Sequence, residues 1–220
     1  MEKVRISDMN DFMNELLLGG YECLTVILPF LIAFVILSLV YKYKKIPHTK
    51  GIFLKLAVFI MYIFAAFYFT GVGTMFDLQR YGIRFTADQI NLLPFSREIN
   101  IGVYFLNVLL FVPFGFILPF FGPNINKLKY TVLSGFSFSL LIELSQLFNN
   151  RRTDVDDLIT NTLGTLIGYL LFSVFIRVTK RKVHPVTYFK YEPAIYILAI
   201  FLGHFLMFNE FGLAKILYSL

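Results

Sequence analysis

The chain has 220 residues, 57% of them hydrophobic and only 15% charged, with 20 Lys and Arg against 14 Asp and Glu for a formal net charge of +6. A soluble domain carries about 25% charged residues; here the apolar excess lies in long runs, which describes an integral membrane protein and not a soluble one with a large core. The basic residues sit in short loops between those runs, a pattern of membrane orientation and not of nucleic-acid binding, and the single Cys23 excludes an intrachain disulfide or a cysteine-based metal site.

In residues 1–18, Met9, Phe12, Met13, Leu16 and Leu17 fall on one helical stripe. That stripe predicts an amphipathic helix near residues 5–18, lying in the membrane interface. Glu2, Asp8, Asp11 and Glu15 in the same stretch argue against a cleavable signal peptide. A spanning helix needs roughly 20 apolar residues, and six runs qualify: about 23–41, 52–71, 103–121, 129–149, 157–177 and 193–211. Lys55 is near enough to the inner end of the second to snorkel. Between the second and third, Asp77, Arg80, Arg84 and Asp88 recur at three- and four-residue spacing, which predicts a second surface helix near 75–90. The third run contains FVPFGFILPF, with Pro113, Gly115 and Pro119 inside it. Proline removes a backbone donor, so a kinked span or a re-entrant segment is expected there. His204 on the last run reads as a packed core residue. With no Trp and 13 Tyr, tyrosine is the interfacial anchor. Residues 1–220 read as one all-α domain of about six membrane helices.

Lysine and arginine set the expected orientation. Loop 42–51 carries Lys42, Lys44, Lys45 and Lys50; loop 122–129 carries Lys127 and Lys129; loop 177–192 carries Arg177, Lys180, Arg181, Lys182 and Lys190. The alternating loops balance their arginines with acids. Six spans with both termini extracytoplasmic satisfy every loop, and put the stretch IELSQLFNNRRTDVDDLITNTLG (142–164) on the outer side.

That stretch carries the chemistry. Ser139, Glu143, Gln146 and Asn150 form one stripe on the fourth span. Thr153 or Asp154 is the expected N-cap of the fifth, with Thr153 and Asp156 spaced as a capping box. Asp157, Asn161, Gly164 and Gly168 share a face, the two glycines forming a GxxxG that admits a close helix neighbour. A tight turn joins these spans, so their polar stripes should meet. Capping and ion pairing would account for Asp154, Asp156, Arg151 and Arg152 without any function. Glu143 is different: about two turns inside a span an ionisable group is costly and is a functional candidate, with Arg151 as its expected partner. Asn91, Asn100 and Asn107 are placed to add polar contacts. The four acids could hold Ca²⁺ or Mg²⁺ through oxygen ligands, but the adjacent arginines compete, so no metal or other cofactor is expected. No Ser-His-Asp context, HExxH or phosphate-binding glycine loop is present.

In order and spacing, NLLPF, NVLLFVPFGFILP, SLLIELSQLF and RRTDVDDLITNTLGTLIGY (roughly residues 88–170) resemble the VanZ-like family of membrane proteins. The family's positions fall on Asn91, Pro94, Asn107, Pro113, Gly115, Glu143, Gln146, Arg151, Asp154, Asp157, Asn161 and Gly164, with Arg152 an addition. The resemblance implies a multi-pass protein of a bacterial, Gram-positive type cell membrane. It also implies a role in resistance to glycopeptide antibiotics, above all lipid-tailed ones such as teicoplanin.

Three functions fit these residues. The first is binding without catalysis: an outward pocket holding a lipoglycopeptide or a lipid-linked wall precursor. Arg151 and Arg152 would meet a carboxylate or phosphate, and Glu143, Asp154, Asp156 and Asp157 an amine or sugar; Asn91, Gln146 and Asn161 would add hydrogen bonds, and Asn107 with the kinked third span would line a tail groove. The second is an enzyme acting on an envelope lipid or peptidoglycan precursor, with Glu143 as general base, Arg151 stabilising developing charge and Asp157 beside them. The third is a lipid transporter or scramblase, against which the other halves of spans four and five offer little beyond Ser134, Ser137 and Ser173.

Overall fold

The computed structural model describes residues 2–46, 52–82, 89–96, 100–121, 126–149, 151–180, 189 and 191–209, with side chains described at Met13 and from Leu16 onward. Seven α-helices account for nearly all of it: α1 (Glu2–Tyr43), α2 (Ile52–Thr70), α3 (Met75–Tyr81), α4 (Ile101–Ile117), α5 (Leu128–Gln146), α6 (Val155–Thr179) and α7 (Glu192–Met207). Tight 3₁₀ turns extend α4 through Leu118–Phe120 and α5 through Leu147–Asn149. Two short strands, β1 (Ile90–Asn91) and β2 (Thr153–Asp154), pair in parallel with Asn91 opposite Asp154. Among the described residues five stretches are long and apolar enough to cross a bilayer: Leu16–Tyr43, Ile52–Tyr81, Ile101–Phe120, Leu128–Asn149 and Val155–Thr179. The sixth run forms α7, shorter at 16 residues. The all-α membrane architecture is as the sequence reads.

Two local expectations change. The stripe at 5–18 is helical but is no separate interfacial element, because α1 runs unbroken from Glu2 into the first span. No proline or stop signal separates the two, and Gly19 and Gly20 lie within continuous helix. The helix expected near 75–90 is a single short one. A capping box between Thr74 and Asp77 starts it, and Gly82, at φ 71°, stops it; Arg84 and Asp88 lie outside the described residues. Of the two forms expected for the third span, kinked or re-entrant, the structure favours a single helix long enough to cross. Its helix continues through Pro113, which deprives the Leu109 carbonyl of its usual donor, and beside that gap the Tyr62 hydroxyl of α2 donates to the Leu110 carbonyl at 3.2 Å.

Helices α4 and α6 make the most extensive contact in the bundle. Glycine makes it possible. A Cβ at Gly115 would stand 2.0 Å from the Thr165 carbonyl oxygen, one at Gly164 2.2 Å from that of Val108, and one at Gly168 2.0 Å from that of Val112. The GxxxG face is therefore turned onto α4. Next to it Phe111, Phe114 and Phe138 close the core, with Phe114 and Phe138 stacked at 5.1 Å. Helix α7 lies along α1, where Gly203 admits the Pro29 ring. At one end of that pair the fully buried Glu192 accepts from the Tyr196 hydroxyl at 2.8 Å and from the Tyr41 hydroxyl. At the other, His204 is a packed core residue, buried and stacked on Phe208 at 4.9 Å. Lys55 is exposed.

Overpacking a close contact costs about 1–3 kcal/mol. Gly168→Val should therefore lower the Tm in detergent by several degrees, whereas Gly20→Ala, where a Cβ meets nothing within 4 Å, should leave it unchanged or raise it. Thermal unfolding of the two purified variants checks this.

Candidate functional site

The polar end of the bundle is built on the start of α6. Asp154 is its N-cap, accepting from the Asp156 amide at 3.0 Å. Thr153 does not cap: its hydroxyl donates to the Glu143 carbonyl at 3.0 Å, tying β2 to α5. The carboxylate of Asp154 also receives the Asn91 amide, 3.1 Å to each oxygen, where β1 pairs with β2. Asn91 turns its own carbonyl oxygen back to the Leu93 amide at 3.2 Å and the Ser96 hydroxyl at 3.0 Å. This folds the NLLPF segment into a compact turn across Pro94, with Phe95 at φ 54°. The turn is fastened by Asp156, buried to 2% exposure, which accepts from the Phe95 amide at 2.8 Å and the Tyr104 hydroxyl at 2.5 Å. Asp154 and Asp156 thus work as structural acids: every carboxylate oxygen of the two has a donor.

Glu143 and Asp157 differ. Glu143, 3% exposed, accepts from the Asp154 amide at 3.2 Å through Oε2. Asp157 accepts from Asn107 of α4 at 2.6 Å through Oδ1. No hydrogen bond to the second oxygen of either is found among the described residues. Both line a cavity of about 660 Å³ between α2, α4, α5 and α6. One turn further along α6, Asn161, also 3% exposed, donates to the Ser139 hydroxyl at 2.9 Å; its buried side-chain carbonyl oxygen has no partner among the described residues. A buried orphan of this kind costs about 1–3 kcal/mol.

Arginine 151 goes elsewhere than expected. Its guanidinium donates to the Thr70 carbonyl at 2.6 Å, and not to Glu143. The last carbonyls of a helix are unpaired and carry partial negative charge, and the α2 terminus collects donors accordingly. Gln146 also reaches the Thr70 carbonyl, at 2.6 Å, and Asn149 reaches that of Gly71 at 2.9 Å. Gly71 adopts φ 63°, a conformation that favours glycine, and a Cβ there would also lie 2.6 Å from the Arg151 Nη1.

The structure gathers Asn107, Glu143, Gln146, Arg151, Asp157 and Asn161 around one cavity, with Pro113 in its wall. Asn91, Pro94, Asp154 and Asp156 form its support. Arg152 is exposed and Asn100 caps α4; Asn150 lies outside the described residues. Sequence reasoning missed Tyr104, Thr70 and Gly71. Tyr104 had a signal, since it precedes Asn107 by three residues and shares its helix face; Thr70 and Gly71 had none, because their part is played by backbone atoms. Among the described residues no cluster of three or more His, Cys, Asp or Glu is arranged to hold a metal.

A bundle of membrane helices with a side-open cavity that carries Glu143 and Asp157 at its polar end is the class of protein these features define. The VanZ/LLP1 family description matches residues 24–176, and the chain belongs to that family. A 90-residue stretch, 39% of this chain, is 33% identical to Protein VanZ of Enterococcus faecium and covers 53% of it, about half that protein's length. No solved structure gives a significant match.

Hydrogen bonds to charged groups contribute about 1.5–3 kcal/mol. Tyr104→Phe and Asp156→Asn should each destabilise by that order, and the double variant by less than the sum of the two. Denaturation of the three variants checks the coupling.

Proposed function

We infer that this protein binds an amphiphile at the extracytoplasmic face of a bacterial membrane, and that by doing so it contributes to resistance to lipid-tailed glycopeptides of the teicoplanin type. One observation carries the reading: the 660 Å³ cavity is polar at one end, with Glu143, Asp157, Asn107, Asn161, Gln146 and Arg151, and apolar along its side, where α2 and α4 supply Tyr62, Phe69, Leu106, Leu109 and Leu110. A head group and a tail are accommodated together. The occupant is a lipoglycopeptide or a lipid-linked wall precursor. Membership of the VanZ/LLP1 family supports the link to resistance, and the Lys and Arg pattern of the loops supports the outward orientation with both termini outside.

A second reading, a membrane-embedded enzyme acting on an envelope lipid or precursor, is favoured by the buried Glu143, whose carboxylate holds one hydrogen bond among the described residues. The two readings separate on one substitution. In a sensitive Gram-positive host, the wild type should protect against teicoplanin more than against vancomycin. Losing one charged contact weakens binding about tenfold to a hundredfold, so Glu143→Gln at matched membrane levels should reduce protection while drug and lipids remain chemically intact by mass spectrometry. A covalently altered product, absent with Glu143→Gln, would establish the enzyme instead.

The orientation has its own test. Arg152→Cys, in a Cys23→Ser background, should react with a membrane-impermeant maleimide added to intact cells. Lys44→Cys in the same background should react only after the cells are opened.

A further inference from the structure

We propose that the head group this cavity takes is zwitterionic, an anionic group at Arg151 and a primary ammonium folded inward to Asp157, Glu143 and Asn161, on a lipid that enters sideways between α2 and α4. The inference rests on the amphiphile reading above and narrows it to a chemical class.

The inner end of the cavity presents an excess of acceptors. Among the described residues Asp157 and Glu143 each hold one side-chain hydrogen bond, and the buried carbonyl oxygen of Asn161 holds none. Asp157 and Asn161 stand one turn apart on α6, about 6 Å along its axis. An ammonium supplies three donors and a positive charge, which suits two carboxylates and an amide oxygen. A neutral or anionic head group brings no positive charge there and leaves the carboxylates uncompensated in a low-dielectric setting. The rim is the reverse. Arg151 is exposed and uses Nη1 on the Thr70 carbonyl, and the rest of its guanidinium makes no hydrogen bond among the described residues. A planar fork of free N–H groups matches a phosphate or carboxylate.

The entrance follows from exposure. Phe69 on α2 and Leu106 and Leu109 on α4 line the cavity yet are 72%, 62% and 53% exposed. Open apolar surface at the side of a membrane bundle faces acyl chains. The tail therefore lies between α2 and α4 while the head turns in toward α6.

Native mass spectrometry of the detergent-purified protein, titrated with phosphatidylethanolamine, phosphatidylglycerol and phosphatidylcholine of identical acyl chains, tests this. The ethanolamine lipid should bind about tenfold more tightly than the other two. Phosphatidylcholine keeps the charge but has lost its N–H donors, and phosphatidylglycerol has no amine. Asp157→Asn and Asn161→Ala should bring the ethanolamine and glycerol lipids to parity, and Arg151→Gln should weaken both. Equal binding of the three by wild type, or a preference that survives Asn161→Ala, would overturn the zwitterion. Leu106→Trp, which fills the side opening, should abolish binding of every lipid. If all three bind that variant as well as wild type, the cavity takes no lipid and the amphiphile reading falls with the inference. If Leu106→Trp blocks binding but wild type shows no preference, only the head-group assignment is lost.

Discussion

The approach of α4 to α6, backbone against backbone, is the constraint on which the rest of this structure depends. With a side chain at position 115, 164 or 168 the two axes could not come so close, because each Cβ would fall within about 2.2 Å of a carbonyl oxygen on the facing helix. At that distance short polar side chains can bridge the two helices. Asn107 reaches Asp157 and Tyr104 reaches Asp156 with no intervening water required. The acids at the start of α6 are thus held by α4, and through Asp154 and Asn91 they hold the turn that leads back into α4. Packing inside the bundle and hydrogen bonding at its end are one linked arrangement.

Spans, core histidine and polar face were legible because each rests on periodicity or on long apolar runs. GxxxG at 164–168 gave the close approach, and NLLPF with RRTDVDD gave the turn and the helix start. What could not be read was which partner each polar group would find. Arg151 was expected on Glu143, since opposite charges a few residues apart invite pairing. The pairing lost to the free carbonyls at the end of α2, more than 80 residues away in sequence. Thr153 likewise fits a capping box by spacing, yet its hydroxyl bridges to α5 and Asp154 caps in its place. The Glu192 site escaped notice because its donors, Tyr41 and Tyr196, look like ordinary interfacial tyrosines.

Four acids lie within fifteen residues, and proximity alone would treat them as one cluster. Hydrogen bonding divides them into two pairs with different work. Asp154 and Asp156 are saturated by backbone amides, Asn91 and Tyr104, and their removal would loosen the fold. Glu143 and Asp157 keep capacity turned to a cavity. In hydrocarbon a carboxylate with spare capacity is costly unless something supplies a donor. That cost is why the cavity, and not the acidic loop as a whole, is the place to seek a ligand.

Whether such a site holds or transforms its occupant depends on where its free groups lie. Catalysis requires groups that stabilise the transition state more than the ground state, and for acyl or phosphoryl chemistry these are donors aimed at developing negative charge. Here the inner wall offers acceptors: Glu143, Asp157 and the Asn161 carbonyl oxygen. The charged donor is Arg151, anchored at the rim on Thr70, while Asn107 and Gln146 each spend one amide N–H, on Asp157 and on Thr70. A general base at Glu143 would thus act beside a second carboxylate, which would oppose negative charge building up on a substrate. The same arrangement favours a bound cation in its ground state, and that asymmetry is the physical ground for preferring recognition over turnover.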